Sequence, residues 1–170
     1  MDRGPGLFID VSNLYYCVGR KFNRKIDYNK YVTAPNLVIQ KAYGTQLDNE
    51  ARSFIKKLEQ CGYETEFIKT TKNRITNLNV NIVVDVINHL DELTEVILGT
   101  ASRDMVSFIK FLQAQDVKVT IYACGICNEL IEVADNIIEI EETQLENTKT
   151  NNTLQLPTDS IRDCDGCASS

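Results

Sequence analysis

At 170 residues, with 43% hydrophobic and 25% charged content, the chain is long enough for one domain with a proper core. A formal net charge of −6 excludes a protein that coats nucleic acid by bulk charge and leaves room only for a local basic patch. No apolar run reaches the roughly 18 residues of a membrane span, and Met1-Asp2-Arg3-Gly4-Pro5 lacks the basic-then-apolar layout of a secretion signal. A cytoplasmic protein with no membrane partner is therefore expected, and the glycosylation-like Asn151-Asn152-Thr153 reads as chance.

Taken in chain order, the first element is the apolar run Gly6-Leu7-Phe8-Ile9, a strand over 7–10 that stops at Asp10 and opens into Val11-Ser12-Asn13. Residues 17–34 mix charge with aromatics and read as a short helix and a loop beside Asp10. A second strand is expected over 37–43. A helix follows over 48–61, where Ala51, Phe54, Ile55 and Leu58 keep helical spacing and Gly62 supplies the stop. A third strand covers 63–68, a helix 80–90, a fourth strand 95–99, a helix 104–114 carried by Met105, Phe108, Ile109 and Leu112, and a fifth strand 117–122. From Thr143 onward apolar residues thin out, so 1–142 reads as the domain and 143–170 as a disordered tail. Alternating strands and helices imply right-handed crossovers and an α/β fold with a mostly parallel sheet of five to six strands, covered by helices on both faces.

In such sheets ligands bind outside the carboxyl ends of the strands, which is where Asp10 falls. Asp85 lies within the apolar segment Val80-Asn81-Ile82-Val83-Val84-Asp85-Val86-Ile87, Asp104 follows Val96-Ile97-Leu98-Gly99, and Asp135 precedes Ile137-Ile138. Acids tied to strand ends or helix starts can converge on one cation. Each also has a plainer reading: Asp104 as a helix cap, Asp85 as a partner of Lys or Arg, Asp135 as a surface acid. Three basic groups, Arg20-Lys21 with Arg24-Lys25, then Lys69, Lys72 and Arg74, then Arg103, supply an RNA track, with Tyr15, Tyr16 or Phe22 to stack on a base. Solvated loop charges are the alternative. His89, the only histidine, reads as a surface or core-edge residue.

Six cysteines in a cytosolic chain read as thiols rather than disulfides, with Cys17 and Cys61 free. Cys124-Gly125-Ile126-Cys127 and Cys164-Asp165-Gly166-Cys167 are both C-x-x-C, a candidate four-thiolate zinc site whose spacer is longer than the usual range; the alternative is one incidental pair and a loose tail.

The run Ile9-Asp10-Val11-Ser12-Asn13-Leu14-Tyr15 resembles the opening motif of NYN domains, the LabA-like branch of the PIN-like nucleases. Val96-Ile97-Leu98-Gly99-Thr100-Ala101-Ser102-Arg103-Asp104-Met105, then Val117-Lys118-Val119, then Leu130 to Ile138 with Ala134-Asp135, resemble that family's second half in order, so the likeness covers roughly residues 6–141. The resemblance implies a Rossmann-like sheet whose acids bind Mg²⁺ or Mn²⁺ and hydrolyse RNA phosphodiesters. It implies metal-binding and catalytic roles for Asp10, Asp85 and Asp104, a motif amide at Asn13, and a further metal-site acid at Asp135. Hard divalent cations prefer carboxylate oxygens, and a bound ion activates water while offsetting charge on the phosphate.

The chain departs from the family pattern at Asn79, where an Asp is common, and at Ser102-Arg103-Asp104, where an Asp-x-Asp pair is common. The field for a second cation is thereby weakened, so one metal at most is expected. The expected function is a metal-dependent ribonuclease acting on single-stranded RNA; the alternative is a catalytically degenerate NYN domain that binds RNA or a protein. A homodimer is among the states the sequence allows. A haloacid-type phosphatase fits poorly because Ser12 stands where its Asp-x-Asp motif needs the second acid, and a receiver-like phosphoacceptor lacks its acid pair and lysine motif.

Overall fold

The structure is a computed structural model that describes residues 3–31, 34–46, 51–70 and 77–147. Its strands are β1 (Gly4–Asp10), β2 (Ile39–Gln46), β3 (Glu64–Lys69), β4 (Leu93–Gly99), β5 (Lys118–Ala123) and β6 (Asn136–Glu139). Its α-helices are α1 (Val11–Phe22), α2 (Tyr28–Tyr31), α3 (Arg52–Gln60), α4 (Asn79–Asn88), α5 (Val106–Gln113) and α6 (Asn128–Val133). The strands form one sheet in the order β3-β2-β1-β4-β5-β6, with every neighbouring pair parallel.

The apolar runs explain the order. Leu7, Phe8 and Ile9 of β1 and Val96 and Leu98 of β4 have no exposed surface, as central strands covered on both faces require. The chain steps outward from β1 to β3, then returns to the other side of β1 for β4 to β6. With right-handed crossovers, this reversal places the helices of the two halves on opposite faces and makes the β1/β4 boundary the switch point where ligands gather. Asp10 ends β1 at that boundary, beside the register pair Ile9 and Gly99.

Three elements differ from the sequence reading. α1 begins at Val11, directly after Asp10, because Leu14, Cys17 and Val18 bury one face of the helix from its first turn. The Ile137-Ile138 run forms a sixth strand, too short to stand out on periodicity alone. The ordered body also continues past residue 142. A 3-10 turn, Glu142–Gln144, closes with a capping box between Glu141 and Gln144, and buried Leu145 pairs with Ile26 in an antiparallel bridge. Residues 148–170 of the expected tail lie outside the described residues.

Two glycines are required by backbone or space. Gly62, at φ 87°, ends α3 in the left-handed conformation that its position past Cys61 demands. Gly99 permits close packing at the end of β4: a Cβ there would lie 2.5 Å from Ile9 Cγ2 and 2.8 Å from the Tyr31 hydroxyl oxygen. Tyr31 is fully buried, stacks on Tyr122 at 4.5 Å between ring centroids, and donates its hydroxyl to the Tyr122 carbonyl. Gly99→Ala must therefore displace a locked ring or the β1 backbone. It is expected to cost about 2 kcal/mol, seen as a fall of about 4–8 °C in Tm by calorimetry.

Candidate functional site

The strand-to-helix junction at Asp10 is built by capping. The first backbone N–H groups of α1 have no partner within the helix, and the Asp10 carboxylate accepts from Asn13 N at 2.9 Å. The residue is only 9% exposed. Burial pushes its carboxyl up to about 6, partly opposed by the backbone N–H groups of Asn13 and Ser12.

A chain of hydrogen bonds leads outward from this junction. Asn13 Oδ1 accepts from Ala101 N at 3.0 Å, stapling the first turn of α1 to the loop after β4. The same oxygen takes a long contact of 3.8 Å from Cys17 Sγ. Within that loop Ser102 N donates to Thr100 Oγ1 at 3.2 Å. Asn79 Nδ2, at the start of α4, then reaches Ser102 Oγ at 2.9 Å. One rim thus joins the ends of β1 and β4 with the starts of α1 and α4. The two positions that depart from the family pattern, Asn79 and Ser102, meet there as a neutral amide–hydroxyl pair.

The remaining expected acids do not all arrive at this rim. Asp104 follows it in the chain, exposed in the 3-10 turn Arg103–Met105 and two residues beyond Ser102. Asp85 lies two turns along α4 from Asn79, and its carboxylate is held by Lys41 Nζ at 2.7 Å and by the Tyr43 hydroxyl at 2.5 Å. Burial opposes ionisation of Asp85, but these two bonds more than offset it and its carboxyl sits below the ordinary range. Lys41 also pairs with Glu64 at 3.2 Å, so the cluster ties α4 to β2 and β3. Asp135 sits at the opposite end of the sheet, before β6, where it accepts from Val119 N at 2.8 Å and Gln113 Nε2 at 3.2 Å. The expectation of four acids around one ion is not met: among the described residues no three His, Cys, Asp or Glu side chains are grouped to hold a metal.

Three of the expected basic residues are answered from within the chain. Lys21 pairs with Glu139 at 2.8 Å, Arg103 with Glu129 at 3.3 Å, and Arg24 reaches Glu142 at 3.3 Å and the Glu146 carbonyl at 2.7 and 2.9 Å. Arg20 and Lys21 close the last turn of α1, roughly 15 Å of helix from Asp10. Arg20, Lys25 and Lys69 are exposed, whereas Lys72 and Arg74 lie outside the described residues. Of the zinc candidates, Cys124 and Cys127 are buried thiols between β5 and α6, and Cys164 and Cys167 lie outside the described residues. His89 is half-buried at the end of α4, with Nδ1 2.8 Å from the Asp85 carbonyl oxygen.

A pocket of about 590 Å³ opens between α1 and α3. Ser12, two residues from Asp10, lines it together with Tyr15, Phe54, Phe67, Lys25 and Lys57. Sequence reasoning placed Tyr15 and Lys25 near a ligand but missed Phe54, Phe67 and Lys57, which carry only the ordinary signature of an amphipathic helix and a half-buried strand. It also missed Lys41, whose signal was a cation inside an apolar strand.

The NYN domain family model matches residues 6–141. The chain belongs to the NYN domain family. NYN domains are PIN-like nucleases, generally dependent on a divalent metal, so membership supports a nuclease-type function. Among solved structures, a protein of unknown function from Vibrio parahaemolyticus RIMD 2210633 aligns with a TM-score of 0.76 and 24% identity, over 85% of this chain and 97% of its own. That likeness concerns the fold alone. No curated protein matches the chain.

Two stability predictions follow from the ionisable groups of this NYN domain. The folded-state value of about 6 for Asp10 exceeds the ordinary 3.8, so stability is full below about pH 4 and falls as pH rises through 6. Asp10→Asn keeps a capping oxygen and removes that cost. In metal-free buffer it should raise stability by about 2 kcal/mol, or about 4–8 °C in Tm, near pH 7.5 and change little near pH 3.5. Lys41→Met leaves the Asp85 carboxylate without its cation and should lower stability by roughly 2 kcal/mol in urea unfolding, with part recovered when Asp85→Leu is added.

Proposed function

We propose that this NYN domain is a ribonuclease that hydrolyses single-stranded RNA with Mg²⁺ or Mn²⁺, and that Asp10 is the charged centre of its site. The observation that carries this reading is the Asp10 carboxylate itself, buried at the switch point with its ionisation disfavoured by burial. A divalent cation would offset the charge of such a carboxylate, and hard cations take carboxylate, amide and hydroxyl oxygens.

The donor set suits one ion. Asp10 and Asp104 would supply charge, while the oxygens of Ser102 and Asn79 are neutral donors on the same rim. Asp85 is already bound by Lys41 and Tyr43, and Asp135 belongs to the other end of the sheet, so neither is assigned to the ion. Bound there, the metal would lower the pKa of a water and offset charge building on the phosphate. The chain's own residues do the positioning. Asn13 spends its side-chain oxygen on Ala101 N, which leaves its amide N–H groups to donate to a phosphate oxygen and fixes the direction from which they do so.

The Asn79–Ser102 pair favours a second reading, a catalytically silent NYN domain that binds RNA or a protein through this rim. Two neutral groups there satisfy each other and add no charge for a second cation. End-labelled single-stranded RNA incubated with Mn²⁺ or Mg²⁺ separates the two. Cleavage that EDTA stops and Asp10→Asn reduces at least about a hundredfold supports the nuclease, with Asp85→Asn retaining cleavage at a lowered Tm. Equal background for the wild type and Asp10→Asn selects the silent binder.

A further inference from the structure

The α1/α3 pocket has no part in the proposed metal site, although Tyr15 and Lys25 of the expected RNA track line it. Its volume of about 590 Å³ falls in the range of small-ligand sites, about 300–1,000 Å³. Its walls are aromatic. Phe54 meets Phe67 edge-to-face at 6.2 Å and Tyr28 at 5.7 Å, so that side is a locked cluster. On the other side Tyr15, on α1, is 39% exposed, so part of its ring is open to a ligand. It meets its neighbour Tyr16, another lining residue, edge-to-face at 5.7 Å.

Charge selects the occupant. Arg24, Lys25 and Lys57 line the pocket against one acid, Glu146, in a protein whose net charge is −6. Glu146 takes Lys57 at 2.6 Å, and Arg24 is directed to the Glu146 carbonyl and to Glu142. Lys25 makes no ion pair among the described residues and stands exposed at the edge. Flat aromatic surface beside an available ammonium is the recognition chemistry of a planar base carrying a phosphate. An acyl chain would have no use for the cations, and a bare anion would have no use for the rings.

We infer that this pocket is a nucleotide-binding site, which seats one nucleobase against Tyr15 and the Phe54–Phe67 wall and its phosphate at Lys25. The nucleotide can come from an RNA strand or be free in solution; the recognition chemistry is the same. Since Ser12 lines the pocket two residues from Asp10, a base held here would also anchor a strand beside the proposed reaction centre. The inference extends the RNA reading, yet it does not require hydrolysis.

Titration calorimetry with EDTA present tests binding with metal-dependent cleavage switched off. The probes are adenosine and uridine 5′-monophosphates, a short single-stranded oligoribonucleotide and ribose 5-phosphate. The nucleotides or the oligomer should bind, with ribose 5-phosphate at least about tenfold weaker. Tyr15→Ala and Lys25→Glu should each weaken binding about tenfold, while Tyr15→Phe restores it. Both positions are exposed, and unchanged melting curves would establish that the variants fold. Binding by the oligomer alone assigns the site to a strand, and binding by mononucleotides alone assigns it to a free ligand. No binding by either overturns the inference, as does binding that both Tyr15→Ala and Lys25→Glu leave within twofold, or ribose 5-phosphate binding as tightly as the nucleotides. Loss of RNA cleavage with nucleotide binding intact would count against the nuclease reading and leave this one standing.

Discussion

Asp10 ends the central strand of the sheet, and its carboxylate must serve two demands that pull in opposite directions. As a cap it accepts the free backbone N–H groups at the start of α1, which favours the charged form. As a buried group wedged at the β1/β4 boundary it resists charge, and burial wins. The rest of the site depends on that balance. The cap fixes where α1 begins, the first turn of α1 places Asn13, and Asn13 in turn holds the loop after β4 through Ala101. A site assembled this way is preorganised by backbone contacts, so its geometry does not await a ligand.

The charges elsewhere serve the fold more than a ligand. Lys41, Asp85, Tyr43 and Glu64 form a polar clamp between the sheet and α4, and acids at the end of β6 and in the segment after it meet Lys21, Arg24 and Lys57. A basic residue with an acid already at hydrogen-bond distance gains little from a phosphate. The electrostatic reach of the molecule toward nucleic acid is therefore narrow, in keeping with a net charge of −6. Where an anion does bind, it has to find a cation that no acid among the described residues already holds, and Lys25 is one that stands beside an aromatic surface.

Asn79 and Ser102 illustrate how a site can change its chemistry without changing its shape. An amide and a hydroxyl 2.9 Å apart satisfy each other, whereas two carboxylates so placed would repel unless a cation or a proton lay between them. The rim of this chain is consequently stable on its own terms. That stability removes one reason for a tightly held metal, so in the proposed site the Asp10 carboxylate would be the principal source of attraction.

Much of the architecture was legible in the residues taken alone. Apolar runs marked the strands, 3.6-residue spacing marked α3, α4 and α5, and Gly62 marked the stop of α3 where φ turns positive. The motif around Asp10 and Asn13 pointed to a strand end at the sheet's ligand-binding edge, because a carboxylate following an apolar strand is readable locally. Partnership was not readable. Whether Asp85 faced a metal or Lys41, whether Asp135 reached the rim or the far end of the sheet, and whether Lys21 and Arg24 awaited phosphate or met Glu139 and Glu142 depend on contacts between residues 44, 16 and 118 positions apart. Local sequence determines which backbone a segment adopts and which face it buries. The charge that a side chain meets is decided only when distant segments pack, since that choice is settled by a few ångströms of separation which no local pattern encodes.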